Sequence, residues 1–223
     1  LTSYYDRLVE DPGSDVPEPG FSKENVHFEL LLSCAGELLQ VNDLRMPPQK
    51  GKTPVARKIS VPKDRGRTSA IHPYFLWDKT KYVLGAEEGR QGTQICQKHF
   101  EAFRDLQREV AGNVDDNGVR AVLAFLDEWA PERTPKLDLW REMAGANVVF
   151  RLDGERQYVH ERAAARRAWL DYFHSGSDER GICLVTGESA PIAKLHPSIK
   201  GVRGAKPSGA YLVSFNMDAF TSY

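Results

Sequence analysis

VHFELLLSCAGELLQVND, residues 26–43, predicts a β-hairpin. Two runs rich in apolar and strand-forming residues, 26–33 and 37–43, lie on either side of Ala35-Gly36. This turn lacks the Asn-Gly pair that hairpins favour, so the prediction depends on the two runs rather than on the turn. An antiparallel strand pair is therefore expected in the first fifth of the chain.

Further strands are expected along the sequence. Residues 147–152 and 156–159 flank Asp153-Gly154, a residue pair that strongly favours a hairpin turn. Shorter runs are rich in β-branched and apolar residues and predict brief strands; they lie at 59–61, 81–84, 181–186 and 210–215.

Helices are predicted between these strands. Apolar residues recur at helical spacing over 93–110 and 116–129, and Asp115 or Asp116 is expected to cap the second helix. Two other helices are predicted, an amphipathic one at 1–10 and one rich in Ala and Arg at 163–173. Because hairpins and helices alternate without a regular β-α-β repeat, we predict an α+β fold with mixed or antiparallel sheets and long basic loops.

The same patterns suggest a subdivision of residues 1–223. We expect a β-rich part over 1–90, a mainly helical insertion with a hairpin over 91–180, and a β part over 181–223 that rejoins the first.

The composition excludes several classes of protein. With 41% hydrophobic residues the chain can form a core, so it is not a disordered protein. Thirty Lys+Arg against 31 Asp+Glu give a net charge of -1, so attraction to an anionic partner depends on how the charges are distributed. No apolar run approaches the roughly 18 residues of a membrane span and no secretory leader opens the chain, so no membrane partner is expected.

The cysteines and the first residue bear on cell compartment and processing. Cys34, Cys96 and Cys183 are far apart and odd in number, which predicts reduced thiols in a cytosolic protein and argues against a disulfide framework or a metal site. Leu1 stands where an initiator Met would be, which suggests a processed, trimmed or partial chain.

The residue patterns of common catalytic and cofactor sites are incomplete. Gly51-Lys52-Thr53 resembles the end of a phosphate-binding loop, but Met46 stands where the first glycine is required. Nucleophile-elbow, zinc-protease and complete zinc-deaminase motifs are missing from the sequence. His196 next to Pro197 suits a hydrogen-bonded structural histidine better than a general base. We therefore predict no catalytic residue, no metal and no cofactor.

Two basic loops remain as candidate binding elements. The first basic loop, residues 45–68, contains eight Lys or Arg residues opposed by Asp64 alone, and the second, residues 194–208, has basic residues interleaved with glycines. If the two loops converge, they would bind the phosphates of a nucleic-acid duplex with a steep salt dependence. The alternative is that each loop is simply a solvated charged surface.

Aromatic residues follow the first basic loop. Phe75 and Trp77 are predicted to be core anchors, because most Phe and Trp side chains are largely buried. Base stacking or wedging is the alternative.

Several long strings resemble one protein family. RTSAIHPYFLWDKTKYVLG (67–85), NVVFRLDGE (147–155) and above all GICLVTGESAPIAKLHPSIKGVRGAKPSGAYLVSFNMDAFTSY (181–223) resemble the large subunit of the type I-C CRISPR interference complex, Cascade. LTSYYDRL (1–8) and VPEPGFS (16–22) are similar to the N-terminus of that family. The matches run in order along the chain, which is identified by this resemblance as the N-terminal part of a large subunit.

The resemblance implies a non-catalytic, cytoplasmic subunit of a prokaryotic RNA-guided complex. Such a subunit recognises the protospacer-adjacent motif (PAM) in double-stranded target DNA and helps to separate the strands beside it. Its partners would be that DNA, the crRNA-bearing Cascade subunits, and the helicase-nuclease recruited after target binding. The protein then reads a short duplex element, and base pairing with the guide reads the rest.

The resemblance assigns DNA contacts to the two basic loops. Expected phosphate contacts are Lys50, Lys52, Arg57, Lys58, Arg65, Arg67, Lys194, Lys200, Arg203 and Lys206. Candidates for groove or PAM contacts are Thr68, Gly201, Gly204, Ser208 and Asn216. The family usually has Gln or Ser where this chain has Lys206-Pro207, so a phosphate contact is expected to replace polar readout there.

Two other functions compete with PAM recognition. A structural subunit would dock on the Cascade backbone subunits and on the 5′ handle of the crRNA, with its basic loops facing RNA or protein. A nuclease acting alone ranks last, because the sequence contains no evident set of metal ligands.

Overall fold

The computed structural model describes residues 7, 11, 17–47, 53–63, 71–175, 180–182, 187, 189–191 and 204. The chain divides into two compact units, Leu1–Asp171 and Tyr172–Tyr223, which are described separately. The helix predicted at 1–10 and the strand predicted at 210–215 lie outside the described residues, apart from Arg7, which is helical. The subdivision at residues 90 and 180 stays a prediction.

The described chain contains helices and mixed or antiparallel sheets without a regular β-α-β repeat, so the predicted α+β fold is confirmed. The strands are β1 (Phe21–Val26), β2 (Phe28–Leu32), β3 (Leu38–Asp43), β4 (Arg57–Pro62), β5 (Trp77–Lys79), β6 (Ala86–Gly89), β7 (Gly92–Ile95), β8 (Asn147–Leu152), β9 (Arg180–Ile182) and β10 (Ser189–Pro191). The helices are α1 (Thr80–Val83), α2 (Gln97–Ala111), α3 (Asn117–Glu128), α4 (Trp140–Met143) and α5 (Ala163–Ser175), with 3₁₀ turns at Pro131–Lys136 and Val159–Glu161.

A mixed sheet is the centre of the first unit. Within the described residues it has four strands in the order β3-β2-β8-β5. The hairpin predicted at 26–43 is confirmed as the antiparallel pair β2–β3. Strand β8 runs parallel to β2, with Phe28 opposite Val148, and antiparallel to β5. A parallel pair needs a long crossover, and here the chain between β2 and β8 includes α2 and α3.

One face of this sheet packs against α2 and α3. Alternate side chains of the two central strands point to that face and are buried: Phe28, Leu30, Leu32, Val148, Phe150 and Leu152. The Phe150 ring lies 6.4 Å from the Phe103 ring of α2 and 5.9 Å from the Phe125 ring of α3, measured between centroids. The apolar periodicity that predicts these elements therefore also builds the core.

The opposite face of the sheet carries a two-stranded ribbon. Strands β1 and β4 pair antiparallel, and Val26, Ile59 and Val61 pack with Trp77 and Val149 into a second buried cluster. Strand β1 is missed by sequence analysis, because its central residues Ser22–Asn25 are polar and show no clear alternation.

Buried aromatics hold distant segments together. Phe75 and Trp77 are 1% and 2% exposed, so the core-anchor interpretation is confirmed and base stacking is wrong for both rings. The indole Nε1 of Trp77 donates to the Pro62 carbonyl oxygen at 2.9 Å. The other tryptophans donate similarly: Trp129 to the Leu84 carbonyl at 3.1 Å, Trp140 to Thr93 Oγ1 at 2.8 Å, and Trp169 to the Gly20 carbonyl at 2.7 Å.

In the region after β5, one predicted element has the wrong type and another has the wrong first residue. Residues 81–84, predicted as a strand, form most of the short helix α1 and its C-cap, with the Leu84 N–H donating to the Thr80 carbonyl oxygen at 2.8 Å. The helix predicted from residue 93 begins at Gln97, because residues 92–95 pair with β6 as strand β7. In both places pairing and burial override the local residue preference.

Other predictions hold in part. Helices α3 and α5 lie where they are expected, and Asp116 rather than Asp115 caps α3. The predicted strand at 59–61 is confirmed and extends over Arg57–Pro62. Of the hairpin predicted around Asp153-Gly154, β8 forms, but its partner is reduced to a single bridge between Arg151 and Tyr158. The Tyr158 N–H donates to Glu161 Oε2 at 3.0 Å, which removes it from any longer ladder.

The second unit contains a short antiparallel strand pair. Strand β9 pairs with β10, and Arg180 Nη2 donates to the Ser189 carbonyl oxygen at 2.8 Å. Strand β9 overlaps the first residues of the strand predicted at 181–186, of which 183–186 lie outside the described residues. Strand β10 falls where sequence analysis expects a loop.

Candidate functional site

An open polar pocket of about 670 Å³ lies in the first unit. It is lined by Glu29, Asn42, Asp43, Leu44, Arg57, Arg151, Arg156, Tyr158 and Glu161. Glu29 and Arg151 alternate with the core-facing residues of β2 and β8, so the pocket opens on the sheet face away from α2 and α3.

A partly buried ion pair lines this pocket. Glu29 is 3% exposed, and its Oε1 accepts hydrogen bonds of 2.7 Å from both Arg151 Nη2 and Asn42 Nδ2. Arg151 Nη1 also donates to the Glu155 carbonyl oxygen at 3.1 Å. These hydrogen bonds hold the guanidinium in place, and the bond to Glu29 raises the pKa of Arg151.

The other acidic groups of the pocket are also engaged within the protein. Asp43 accepts two hydrogen bonds from the Arg45 guanidinium, at 2.9 and 2.7 Å, and these bonds hold the pKa of Asp43 below its usual value. Glu161 accepts the Tyr158 N–H. The carboxylates that line the pocket therefore each have a donor already.

Two of the pocket's cations, unlike these acids, have no partner among the described residues. Arg57 and Arg156 are exposed, and neither guanidinium has a hydrogen bond or an ion pair with any residue that the structure describes. The phenol of Tyr158 lies near them, and burial raises its pKa, so it remains a hydrogen-bond donor at neutral pH. The pocket thus presents unpaired positive charge and a neutral donor.

A buried histidine supports the Tyr158 side of the pocket. The His160 ring stacks on Tyr158 with centroids 5.7 Å apart, and His160 Nε2 lies 3.0 Å from the Ser60 carbonyl oxygen of β4. A carbonyl oxygen only accepts, so Nε2 carries the proton of the neutral ring. Burial lowers the pKa of His160 to about 4, which keeps this ring uncharged at neutral pH.

A model of the family described as CRISPR-associated protein (Cas_Csd1) matches residues 1–223. The chain belongs to the Csd1 family. This is the large-subunit family of type I-C Cascade, so the family identified from the sequence strings is confirmed. No curated protein is similar enough to the chain to count as a match.

The structure places three of the DNA-contact residues predicted for this Csd1 chain. Arg57 lines the pocket, Lys58 is exposed on the other face of the β1–β4 ribbon, and Gly204 is exposed with a φ of +88°. The remaining predicted residues lie outside the described residues: Lys50, Lys52, Arg65, Arg67, Thr68, Lys194, Lys200, Gly201, Arg203, Lys206, Ser208 and Asn216. Convergence of the two basic loops stays a prediction.

Sequence analysis misses Glu29, Arg151 and Arg156 as site residues. Glu29 in FELLL and Arg151 in NVVFRL are each the single charge in an otherwise largely apolar strand. A charge in such a strand needs a buried partner, which is the pattern that could have identified the pair. Their meeting depends on the parallel pairing of β2 and β8, which local patterns do not predict.

In the described part of the chain, no three His, Cys, Asp or Glu side chains are placed to hold a metal ion. No described helix has the length and apolarity needed to cross a membrane. Cys34 and Cys96 are free thiols in the described residues.

Proposed function

We propose that this Cascade subunit binds double-stranded target DNA, recognises its PAM and helps to separate the strands beside it. The observation that carries the proposal is the Csd1 family match over residues 1–223. Membership of Cascade implies that the other Cascade subunits and the crRNA are partners. Binding to target DNA, recruitment of a helicase-nuclease after binding and a prokaryotic cytoplasmic location belong to the proposal.

Charge near the first basic loop supports DNA binding. Arg57 and Lys58 are adjacent exposed cations at the start of β4, a strand within the first basic loop that pairs with β1. Their side chains point to opposite faces of the ribbon, so together they extend positive charge around its edge. Each phosphate that such residues neutralise releases counterions, which gives affinity without sequence preference.

Sequence preference has to come from other residues. Polar side chains and close backbone approaches read base edges, whereas Lys and Arg on phosphates position the protein. We assign phosphate contacts to Lys200 and Arg203 and groove contacts to Thr68, Ser208 or Asn216.

Binding to two duplexes, measured by fluorescence anisotropy, tests this assignment. One duplex carries a PAM selected from a randomised library, and the other carries a scrambled flank. Lys200→Glu with Arg203→Glu is expected to weaken both duplexes alike and to lower the slope of log K against log salt by about 2. One substitution among Thr68→Val, Ser208→Ala and Asn216→Ala is expected to weaken the PAM duplex alone, by about 1–3 kcal/mol.

Charge reversal elsewhere gives the matched control. Lys136→Glu with Arg141→Glu changes two exposed cations outside the basic loops and is expected to leave both affinities nearly unchanged. Equal affinity of the wild type and every loop variant for the two duplexes would refute the proposal.

We also propose that the subunit has no catalytic activity of its own. DNA incubated with the purified chain and Mg²⁺ or Mn²⁺ is expected to remain intact. Cleavage that persists at constant specific activity through purification would contradict this.

Docking on the Cascade backbone and the crRNA 5′ handle is the second candidate function. The concave pocket favours it, because the unpaired Arg57 and Arg156 lie where a single strand fits better than a duplex. In that case Lys200→Glu with Arg203→Glu would block assembly before DNA is added. Gel filtration of the mixed subunits distinguishes this outcome from a loss of DNA binding alone.

A further inference from the structure

We propose that the pocket of Arg57, Arg151 and Arg156 binds one nucleotide of a single-stranded nucleic acid through its phosphate. The choice of a nucleic acid as the ligand rests on the proposed function. The choice of an anionic group, and of one nucleotide rather than a duplex, rests on the pocket itself.

The charges of the pocket favour an anion. Glu29 is paired with Arg151 and Asp43 with Arg45, whereas Glu161 accepts the neutral Tyr158 N–H and keeps its negative charge, so with Arg57 and Arg156 the balance of the pocket is one positive charge. No described residue pairs with Arg57 or Arg156, so two cations remain for a ligand. Guanidinium groups bind phosphate oxygens through strong, charge-assisted hydrogen bonds.

Hydrogen-bond donors of the pocket point to the same ligand class. Arg151 Nε is buried and has no hydrogen-bond partner within the part of the chain that the structure describes. This atom is sealed from solvent, so the Arg151 side chain would have to shift before a ligand could accept a hydrogen bond from Nε. The Tyr158 hydroxyl is a second donor on the same wall. A phosphate with its neighbouring sugar supplies several acceptors at once.

The size and shape of the pocket select a single nucleotide. Its volume of about 670 Å³ falls within the range of roughly 300–1,000 Å³ of small-ligand pockets. A duplex keeps its bases paired inside and is too wide for such a concavity, so it is expected to bind the basic loops instead. An unpaired strand can turn one nucleotide into the pocket, and either crRNA or separated DNA could supply it.

Arg156→Ala in the full chain is the deciding variant. Arg156 is exposed and unpaired in the described structure, so its truncation is not expected to affect folding. The probes are labelled oligo-rU and oligo-dT of about 12 nucleotides, and a duplex of mixed sequence. We expect affinity for at least one single strand to fall about tenfold, because a charged hydrogen bond is lost, while duplex affinity stays unchanged. The strand that responds, RNA or DNA, identifies the source of the nucleotide.

Salt dependence and two matched variants separate a contact from an indirect effect. Loss of one phosphate contact is expected to lower the single-strand slope of log K against log salt by about 0.7. Arg156→Lys keeps the positive charge, so it is expected to show the wild-type slope of log K against log salt but a lower affinity. Arg90→Ala, which removes an exposed cation outside the pocket, is expected to change nothing.

Each possible result decides the inference. It is overturned if the wild type binds neither single strand, if Arg156→Ala leaves single-strand binding unchanged, or if it weakens duplex and single strand equally. Duplex binding without single-strand binding would reject the pocket and retain the proposed function. Single-strand binding that depends on Arg156, without any duplex binding, would retain the pocket and reject the proposed function.

Discussion

At the scale of single residues, His160 links the fold to pH. Its buried ring has a pKa of about 4, against an ordinary value of 6.5. Between these two pH values His160 is protonated in the unfolded chain but neutral in the folded chain. The free energy of unfolding therefore falls as pH falls from 6.5 to 4. The shift corresponds to about 3 kcal/mol lost at the acid end of this range.

His160→Gln tests that linkage. The amide of Gln can still donate to the Ser60 carbonyl oxygen but does not titrate. The free energy of unfolding, measured with urea at steps from pH 7.5 to 4, is expected to fall less steeply in the variant. Burial also lowers the pKa of His27, so a smaller slope should remain. An unchanged slope would mean that His160 does not cause the acid sensitivity.

The residues of the pocket show how far sequence analysis reaches at this scale. Arg57 is predicted as a phosphate contact from the charge of the first basic loop, and the structure places it in the pocket. A lone charge in an apolar strand marks Arg151, but no local pattern places Arg151 and Arg156 in the pocket, because β8 comes beside β2 only through strand pairing across the core. Sequence spacing finds charged loops, whereas the pocket depends on the topology of the sheet.

At the scale of elements, the turn of the β2–β3 hairpin packs directly on α3. Gly36 has a φ of +88°, and a Cβ added there would lie 2.7 Å from both Ala124 Cβ and Phe125 N. Only glycine meets both conditions, since the left-handed conformation disfavours a side chain and helix α3 leaves no space for one.

Gly36→Ala is therefore expected to cost about 3 kcal/mol, the sum of backbone strain and overpacking. Gly154→Ala is the matched control, because Gly154 has a φ of +78° and nothing within 4 Å of an added Cβ. That variant should lose only the backbone part, about 1 kcal/mol. Urea unfolding of the two variants measures the difference, and equal losses would show that the contact with α3 is unimportant.

The elements also show which sequence patterns are reliable. The hairpin at 26–43 and helix α3 are predicted because their apolar periods match the faces that they bury. The strand predicted at 81–84 is wrong because β-branched and aromatic residues there are buried in a short helix against α2. Strand β1 is missed because its polar residues pair with β4 through the backbone, which needs no apolar pattern.

At the scale of the whole first unit, the tryptophans connect segments that are far apart in sequence. Trp169 on α5 stacks on Phe75, with ring centroids 5.7 Å apart, and its indole N–H bonds to the Gly20 carbonyl oxygen just before β1. The end of this unit is thereby held to its beginning.

Trp169→Phe is expected to destabilise the unit by about 2 kcal/mol. The substitution keeps an aromatic ring near Phe75 but removes one hydrogen bond and part of a buried side chain, while the Gly20 carbonyl oxygen still accepts from the Lys63 N–H at 2.9 Å. Thermal unfolding monitored by circular dichroism measures the loss. His174→Phe, at an exposed position of the same helix, should have little effect, and a similar loss in both variants would contradict this role for the indole.

The parallel pairing of β2 with β8 also sets an order of events during synthesis on the ribosome. Glu29 and Arg151 are 122 positions apart in the chain. At roughly 5–20 residues per second, β2 and β3 wait roughly 6–24 s before β8 is made. Until then the β2–β3 hairpin lacks its neighbouring strand β8, and β8 cannot help to bury its apolar face. The Glu29 carboxylate remains in water. The two strands at the middle of the sheet are thus among the last to join, and the pocket appears only when they do.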